Sequence, residues 1–218
     1  MPSRLLDTLD EAEQRQVLAV ARRRRFKRNE VVFHDGDPGD TLHLIIRGYF
    51  AIRITTPEGN QAMIRVFGPG DFFGELAMLS PGQRRGSAVS LEEGETLSLH
   101  REDFQILRTT IPRINDVLTG ALVSAVRRDS ASLIEALYVP VERRVLLRLM
   151  DLVELYGGQL PVVIPLTQDH IAQLAGTTRP TANRVLRMCE EDGLLSLARA
   201  RIEVHDPSSL RRRAHKNQ

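Results

Sequence analysis

Apolar residues recur at intervals of three and four near the start of the chain, which predicts an amphipathic helix over residues 5–22. Its acidic side chains fall early, where carboxylates stabilise a helix N-terminus. The run Arg22–Arg25 follows, and cations suit a helix C-terminus, so we expect this run to be the solvated end of the helix. A second basic patch that contacts phosphates is the alternative.

From residue 26 to residue 99 the period changes to short apolar runs, which Gly, Pro and Asp residues separate. The runs read as strands at Val31–Phe33, Leu42–Ile46, Ala51–Ile54, Met63–Phe67, Ala88–Val89 and Thr96–Leu99. Short strands with regular turn residues between them predict an antiparallel barrel or jelly roll.

Helical spacing returns after Arg101, and Pro112 separates a short helix from a long one. The long helix carries a narrow apolar stripe at Ile114, Val117, Leu118, Ala121, Leu122 and Ala125. We expect this stripe to be a dimerisation seam against a second copy, because one barrel face cannot cover so long a helix. Packing on its own barrel is the alternative. Val139-Pro140 marks a joint, and a further amphipathic helix over residues 141–155 ends at Gly157.

The C-terminal part contains a pattern typical of a winged helix-turn-helix. Thr167 is placed to cap a short helix, Gly176 supplies a sharp turn, and Thr178 is placed to cap a second helix whose first turn contains Pro180. Residues 194–197 and 201–204 then read as a β-hairpin, the wing. A generic pair of helices with charged faces is the alternative.

Side chains on the outer face of the second helix suit the major groove of DNA, since Arg bonds guanine and Asn bonds adenine in bidentate fashion. Arginines on the hairpin are placed to contact phosphates. The predicted DNA-binding residues are Thr167, Thr178, Arg179, Thr181, Asn183, Arg184, Arg187, Arg199 and Arg201.

A second set of residues interrupts the predicted barrel. Gly74 and Glu75 can begin a helical turn whose free N–H groups attract anions, while Glu75 accepts hydrogen bonds from a sugar hydroxyl. Arg84 is placed to neutralise a phosphate. A structural ion pair between Glu75 and Arg84 explains the same residue types equally well.

Composition limits the remaining possibilities. The 218 residues carry a net charge of +2, but residues 1–138 hold 18 basic and 19 acidic residues, whereas residues 139–218 hold 12 and 9. The excess of positive charge therefore lies in the predicted DNA-binding part. The single cysteine, Cys189, cannot form an internal disulfide or an iron–sulfur or zinc site alone. With no signal-like or membrane-spanning apolar run, we expect a cytoplasmic protein without membrane contact.

The scattered histidines argue against a metal-dependent jelly-roll enzyme, which would need clustered ligands. We therefore expect that the protein is not an enzyme and binds no metal ion. His34, His43 and His100 form no His-x-His pair. Haem, or another ligand in the roll, stays open, because a single histidine can ligate iron.

Four segments in this order resemble the cyclic-AMP receptor / fumarate-nitrate regulator family of bacterial transcription factors. They are Glu30–Asp37, Leu44–Gly48, Gly68–Leu76 and Thr177–Leu186. The resemblance implies an α+β fold with a jelly-roll β-roll effector domain at residues 1–110, a dimerisation helix at 111–138 and a winged helix-turn-helix at 139–218. It further implies a homodimeric activator that binds a palindromic site in double-stranded DNA and contacts RNA polymerase.

The resemblance also implies a cyclic-nucleotide pocket, with cyclic AMP as the effector. The residues that correspond to it are Gly74, Glu75, Leu76, Arg84, Arg85 and Ser130. Two positions depart from the family pattern: Arg85 stands where Ser or Thr is usual, and Asp129 stands where Thr is usual. A regulator controlled by its own abundance, or a roll that senses a different ligand, is therefore the alternative. The redox branch of the family needs a cysteine cluster, which a single Cys189 excludes.

The reading end of the second helix departs as well. It begins Arg179-Pro180-Thr181, where the cyclic-AMP receptor has Arg-Glu-Thr. Because proline cannot read a base by hydrogen bonding, we expect an altered or relaxed half-site at that position.

Overall fold

A computed structural model describes residues 5–80 and 82–215. The helices are a 3₁₀ turn at Leu6–Thr8, α1 (Glu11–Val20), α2 (Glu75–Leu79), α3 (Arg101–Thr110), α4 (Arg113–Tyr138), α5 (Val141–Tyr156), α6 (Gln168–Ala175), α7 (Arg179–Glu191) and α8 (Pro207–His215). The strands are β1 (Arg22–Phe26), β2 (Val31–Phe33), β3 (Thr41–Arg47), β4 (Phe50–Thr55), β5 (Gln61–Phe67), β6 (Phe72–Phe73), β7 (Ser87–Ser90), β8 (Gly94–His100), β9 (Val162–Ile164), β10 (Leu195–Ala198) and β11 (Arg201–Val204).

The chain forms two compact units. The first comprises Met1–Ile54 and Val66–Asp129, and the second comprises Thr55–Arg65 and Ser130–Gln218. Helix α4 begins in the first unit and ends in the second. The division into three domains at residues 110 and 138 stays a prediction.

Two four-stranded sheets build the β-roll, with strand orders β1-β8-β3-β6 and β2-β7-β4-β5. Strands of both sheets contribute to one core cluster, in which aromatic rings meet at tilted or edge-on angles. The buried members of this cluster are Phe26, Ile45, Phe50, Phe67, Phe73 and Ala88. The predicted jelly roll and the α+β class are confirmed.

The arginine run at the start of the roll is a strand, so its prediction as a helix end was wrong. Helix α1 ends at Val20, and Arg22–Phe26 pairs with β8 at the edge of its sheet. Arg23 and Arg25 alternate with Arg22 and Arg24, and both pair with the carboxylate of Glu95, at 3.0 and 3.3 Å. Period-two pairing with β8 thus overrode the local preference for a helix end, and the charged side chains protect an exposed sheet edge.

Helices α1 and α3 and the start of α4 pack against the first sheet of the roll. Their apolar residues join Leu42, Leu44 and Leu99 of that sheet in a second core cluster. This cluster includes Ile114 and Leu118, which are only 1% and 2% exposed. Burial of side chains of this size contributes about 1.5–3 kcal/mol each.

The predicted dimerisation stripe therefore needs correction at its N-terminal end. Ile114 and Leu118 lie in the core of their own roll, and Val117 and Ala121 pack against the same cluster. Leu122 and Ala125 are half-buried. The covered length of α4 is longer than the sequence pattern suggested, because α1 and α3 extend the apolar surface of the roll.

The second unit contains helices α5 to α8 and a three-stranded antiparallel sheet of order β10-β11-β9. The predicted hairpin is present, with Leu195 opposite Val204 and Ala198 opposite Arg201. Strand β9 was not predicted, although its sequence Val-Val-Ile favours a strand. Residues on the inner faces of α5 and α7 form the helical part of the core, and Cys189 is fully buried among them.

Candidate nucleic-acid interface and effector pocket

Threonine caps define the two helices of the helix-turn-helix, as the sequence predicts. The side-chain oxygen of Thr167 accepts a hydrogen bond from the backbone N–H of His170 at 3.1 Å. Thr178 Oγ1 accepts from the backbone N–H of Thr181 at 3.4 Å. Between the helices, Gly176 adopts the left-handed conformation with φ of 60°, which glycine permits without strain. These local interactions fix where α7 begins.

Helix α7 buries one face and exposes arginines on the other. Ala182, Val185 and Leu186 are buried, which anchors the helix. Arg179, Arg184 and Arg187 are exposed, and Thr178 is exposed beside them; Thr181 and Asn183 are half-buried. The structure thus brings the predicted side chains of this helix to one surface.

Asn183 is engaged within the protein. Its Nδ2 atom donates to Oε1 of Gln168, the first residue of α6, at 2.5 Å. This hydrogen bond joins the two helices of the motif. Asn183 would have to give up or share this hydrogen bond to contact adenine. In this structure its side chain links α7 to α6.

Three of the predicted DNA-binding arginines form ion pairs. Arg184 Nη2 lies 2.8 Å from Oε1 of Glu142, Arg187 Nη1 lies 2.6 Å from Oε2 of Glu190, and Arg201 Nε lies 2.6 Å from Oε1 of Glu203. The first pair joins α5 to α7, and no pattern in the sequence predicts it. Within the described ranges, 5–80 and 82–215, no ion pair is found for Arg179 or Arg199, and both are exposed.

Glu190 connects α7 to the wing. Its Oε1 atom accepts a hydrogen bond from the backbone N–H of Leu197 in β10 at 2.8 Å. This hydrogen bond, followed by the bond from Arg187, holds the pKa of Glu190 below its usual value. A charged Glu190 therefore positions the hairpin whose tip carries Arg199 and Ala200.

Arg144 is a residue that the sequence analysis missed. Its guanidinium group donates to the carbonyl oxygens of Ala175 at 3.1 Å and Gly176 at 3.2 Å, in the turn between α6 and α7. It also donates to the carbonyl oxygen of Val139, at the end of α4, at 3.1 Å. Arg144 thus connects the joint between α4 and α5 to the turn before α7. No spacing pattern signals such a contact.

The helical turn predicted at Gly74 and Glu75 is present in the roll. Gly74 precedes α2 with φ of 90°, a conformation that favours glycine, and Glu75 begins the helix. Glu75 is half-buried and Leu76 is 57% exposed. Arg85 is exposed. Ser130 lies in the other unit, where it is exposed on α4.

Arg84 is buried beside this turn, with only 4% of its surface exposed. Its Nη1 atom donates to the carbonyl oxygen of Gly74 at 3.1 Å, and its Nη2 atom donates to the carbonyl and hydroxyl oxygens of Thr41 at 2.6 and 2.9 Å. Its guanidinium carbon lies 4.0 Å from the centre of the Phe33 ring. Burial lowers the pKa of Arg84, while the charges of Asp40 and Glu75 raise it. The Nε atom is buried with no hydrogen-bond partner within the described residues.

His43 is a core residue of the roll. Its ring stacks on Phe73 with centroids 5.1 Å apart, and Nδ1 lies 3.0 Å from Oγ1 of Thr96. Burial, followed by the positive charges of Arg84 and Arg24, lowers the pKa of His43 to about 3. This environment leaves His43 neutral and enclosed by rings, whereas His34 and His100 are exposed.

Residues 5–80 and 82–215 contain no group of three or more His, Cys, Asp and Glu side chains arranged to hold a metal ion. None of the helices in these ranges is both long and apolar enough to cross a bilayer.

Two family models match the chain. Residues 23–110 match the cyclic nucleotide-binding domain, and residues 143–213 match the Crp-like helix-turn-helix domain. The two matches fall on the β-roll and on the helix-turn-helix with its wing.

Curated relatives match most of the length of the chain. The chain is 34% identical over 193 residues to the CRP-like cAMP-activated global transcriptional regulator of Mycobacterium tuberculosis, which covers 87% of this chain and 86% of that protein. It is 31% identical to the Cyclic AMP receptor protein of Thermus thermophilus, with 88% of each covered.

Solved structures agree on the fold. The c-di-GMP responsive global regulator CLP of Xanthomonas campestris superposes with a TM-score of 0.78 at 24% identity, over 90% of this chain and 99% of that one. The catabolite activator protein of Thermus thermophilus gives a TM-score of 0.57 at 29% identity, over 99% and 100%.

Proposed function

The chain belongs to the cyclic-AMP receptor / fumarate-nitrate regulator family of bacterial transcription regulators, and we propose that it acts as a homodimer on a palindromic DNA site. It is a DNA-binding regulator, and relatives such as those of Mycobacterium tuberculosis and Salmonella typhimurium are named as global transcriptional regulators and not as enzymes. In this proposal each protomer places the N-terminal half of α7 in the major groove of one half-site. We further propose activation through contact with RNA polymerase in the cytoplasm.

The observation that carries the DNA-binding proposal is the exposed face at the start of α7. Arg179 and Arg184 project from a helix that Thr178 caps and that α6 supports. A bidentate contact between arginine and guanine contributes about 1–3 kcal/mol of discrimination. Arg199 and Arg201 on the wing would add contacts to phosphates, which strengthen binding to all sequences alike.

Selection of bound duplexes from a random DNA pool, with the full-length protein, tests this proposal. We expect a palindromic site whose half-sites are related by two-fold symmetry. Arg184→Ala should lose specific binding while the protein remains dimeric. Arg211→Ala, which removes the same charge from α8, should leave the site unchanged. Unchanged specificity in Arg184→Ala would contradict the assignment.

We place the dimer seam on α4, on a face different from the predicted stripe. Among the exposed apolar residues of α4, four lie on one face at intervals of three, seven and four: Val123, Val126, Leu133 and Leu137. Their exposed fractions run from 46% to 64%. This spacing is that of a coiled-coil seam, in which two copies of a helix bury their apolar positions against each other. Ile114 and Leu118 are excluded from the seam because the roll covers them.

Control by a cyclic nucleotide, with cyclic AMP as the first candidate, rests on the turn that begins at Gly74. Gly74, Glu75 and Arg84 lie together in the roll, with Arg84 Nη1 3.1 Å from the Gly74 carbonyl oxygen. The buried Nε atom of Arg84 offers a free donor to a phosphate. The residues on the phosphate and ribose side therefore fit a cyclic nucleotide, which would supply the anionic phosphate and the hydroxyls that these groups bind.

A regulator that needs no effector is the second candidate, and the contacts of Arg84 are compatible with it. Three of its hydrogen bonds already go to Gly74 and Thr41, and its guanidinium group stacks on Phe33. An arginine in this position completes the roll without a ligand. Arg85 and Asp129 also depart from the family pattern of a cyclic-nucleotide pocket.

Calorimetry with cyclic AMP and cyclic GMP on the full-length protein separates these two candidates. Heat of binding that is lost in Glu75→Ala supports the cyclic-nucleotide pocket. Tight DNA binding without any heat from either nucleotide supports the effector-independent regulator. Because Glu75 is half-buried at the start of a helix, circular dichroism of the variant should confirm that the roll still folds.

A further inference from the structure

Glu142 and Arg184 form an ion pair between two helices of the second unit. Glu142 lies in the first turn of α5, and its Oε1 atom is 2.8 Å from Nη2 of Arg184 on α7. The side chains are 49% and 60% exposed, respectively, so solvent and DNA can both reach the pair. The ion pair thus engages Arg184, which is proposed to contact DNA.

The surrounding structure holds this pair in place. Arg144 lies two residues after Glu142 on α5. It donates to the carbonyl oxygens of Ala175 and Gly176, at the end of α6 and in the turn before α7. The first turn of α5 is therefore fixed relative to the start of α7. A carboxylate in the first turn of a helix also interacts favourably with the helix dipole.

We propose that Glu142 competes with DNA for Arg184 and thereby lowers the affinity of the protein for its site. This inference rests on the proposed contact between Arg184 and DNA. On a matching half-site Arg184 leaves Glu142 for the DNA. On other sequences Arg184 stays with Glu142, so it contributes no contact to the DNA.

The free energies of the two contacts allow Arg184 to exchange Glu142 for DNA. An exposed ion pair contributes about 0–1 kcal/mol, because water and salt screen it. A bidentate contact to guanine contributes about 1–3 kcal/mol. The DNA contact therefore wins at a matching site, but the cost of breaking the ion pair is subtracted from the binding free energy.

The other ion pairs on this surface differ in their construction. Arg187 pairs with Glu190 within α7, and Arg201 pairs with Glu203 within β11. Each of those carboxylates moves with its arginine. Glu142 belongs to a different helix from Arg184, so a shift between α5 and α7 would change the strength of competition.

The first test replaces Glu142 with glutamine in the full-length protein. On the duplex obtained from random-pool selection, Glu142→Gln should bind about two- to fivefold more tightly, the factor that corresponds to loss of an exposed ion pair. Glu154→Gln is the matched control: it removes the same charge from the same helix and breaks a pair of the same length, 2.8 Å, but its partner Arg211 lies on α8. The control should leave the affinity unchanged.

The second test repeats the substitution without the arginine. In the Arg184→Ala background, whose remaining binding to the same duplex is measured at low salt, Glu142→Gln should no longer tighten binding. The same gain in both backgrounds would overturn the proposal, because it would show a general charge effect. Weaker binding by Glu142→Gln alone would overturn it too, since Glu142 would then orient Arg184 for DNA.

Failure of the inference is distinguishable from failure of the proposed DNA contact. If Arg184→Ala weakens specific binding while Glu142→Gln leaves it unchanged, only the competition is refuted. If Arg184→Ala itself has no effect on specific binding, the proposed contact is refuted, and the inference is refuted with it.

Discussion

The guanidinium group of Arg84 lies over the ring of Phe33, with 4.0 Å between its central carbon and the ring centre. Hydrogen bonds to Gly74 and Thr41 hold the other edge of the group. Arg84 therefore joins three separate parts of the roll, namely β2, β3 and the turn before α2. Its contribution to the stability of the roll can be measured apart from any ligand.

Replacement of Arg84 with alanine should destabilise the protein by about 2–4 kcal/mol, because the partly buried carbonyl oxygens of Gly74 and Thr41 lose charged donors and a cavity forms beside Phe33. Urea unfolding followed by circular dichroism measures this loss. Arg85→Ala is the control, since the neighbouring side chain is exposed and its removal should change stability by no more than about 0.5 kcal/mol. Equal effects of the two substitutions would show that the contacts of Arg84 contribute nothing specific.

His43 should make the stability of the protein depend on pH. Its pKa in the folded protein is about 3, against 6.5 for an ordinary histidine, so the unfolded chain binds a proton that the folded chain does not. Stability from this group is fully present above pH 6.5 and falls as the pH decreases from 6.5 toward 3. The loss is about 1.4 kcal/mol for each pH unit in that window.

The variant His43→Phe isolates this effect, because phenylalanine can stack on Phe73 and cannot take up a proton. Urea unfolding at pH 7, 6 and 5 should show a smaller decrease for His43→Phe than for the unmodified protein. His34→Gln, a change at an exposed histidine, should keep the full decrease. Parallel curves for all three proteins would mean that His43 does not resist protonation.

Arg144 should support DNA binding without contacting DNA. Arg144→Ala removes the donors to Ala175, Gly176 and Val139, so the turn before α7 loses its attachment to α5. We expect a loss of stability of about 1.5–3 kcal/mol and weaker specific binding. Fluorescence anisotropy with a labelled duplex measures the affinity. Arg143→Ala, at the preceding half-buried residue, is the control; an equal loss there would remove the special role of Arg144.

Features set by neighbours in sequence could be predicted, and features set by distant contacts could not. The caps Thr167 and Thr178 and the turn at Gly176 depend on residues within one helical turn, and all three are found where the pattern placed them. The strand at Arg22–Phe26 depends on pairing with β8, more than sixty residues further along the chain. Its charged sequence contains no local signal for that pairing.

The candidate site divides in the same way. The exposed arginines of α7 follow from helical spacing, so their common surface could be predicted. The partners that hold them, such as Glu142 on α5, depend on the packing of helices. The burial of Ile114 and Leu118 likewise depends on α1 and α3, which complete the surface that covers them. Periodicity alone cannot tell a side chain that packs on its own chain from one that packs on a second copy.

The exposed face of α4 should separate dimerisation from folding. Leu133→Asp places a charge on a side chain that is 60% exposed in one protomer but buried in the proposed coiled-coil seam. We expect monomers by analytical ultracentrifugation, with the circular dichroism spectrum retained and specific DNA binding lost.

Leu118→Ala should do the reverse. Its side chain is 2% exposed in the roll, so stability should fall by about 2–5 kcal/mol while the folded protein remains dimeric. A dimeric Leu133→Asp protein would place the interface elsewhere, whereas a monomeric Leu118→Ala protein would return it to the stripe that begins at Ile114.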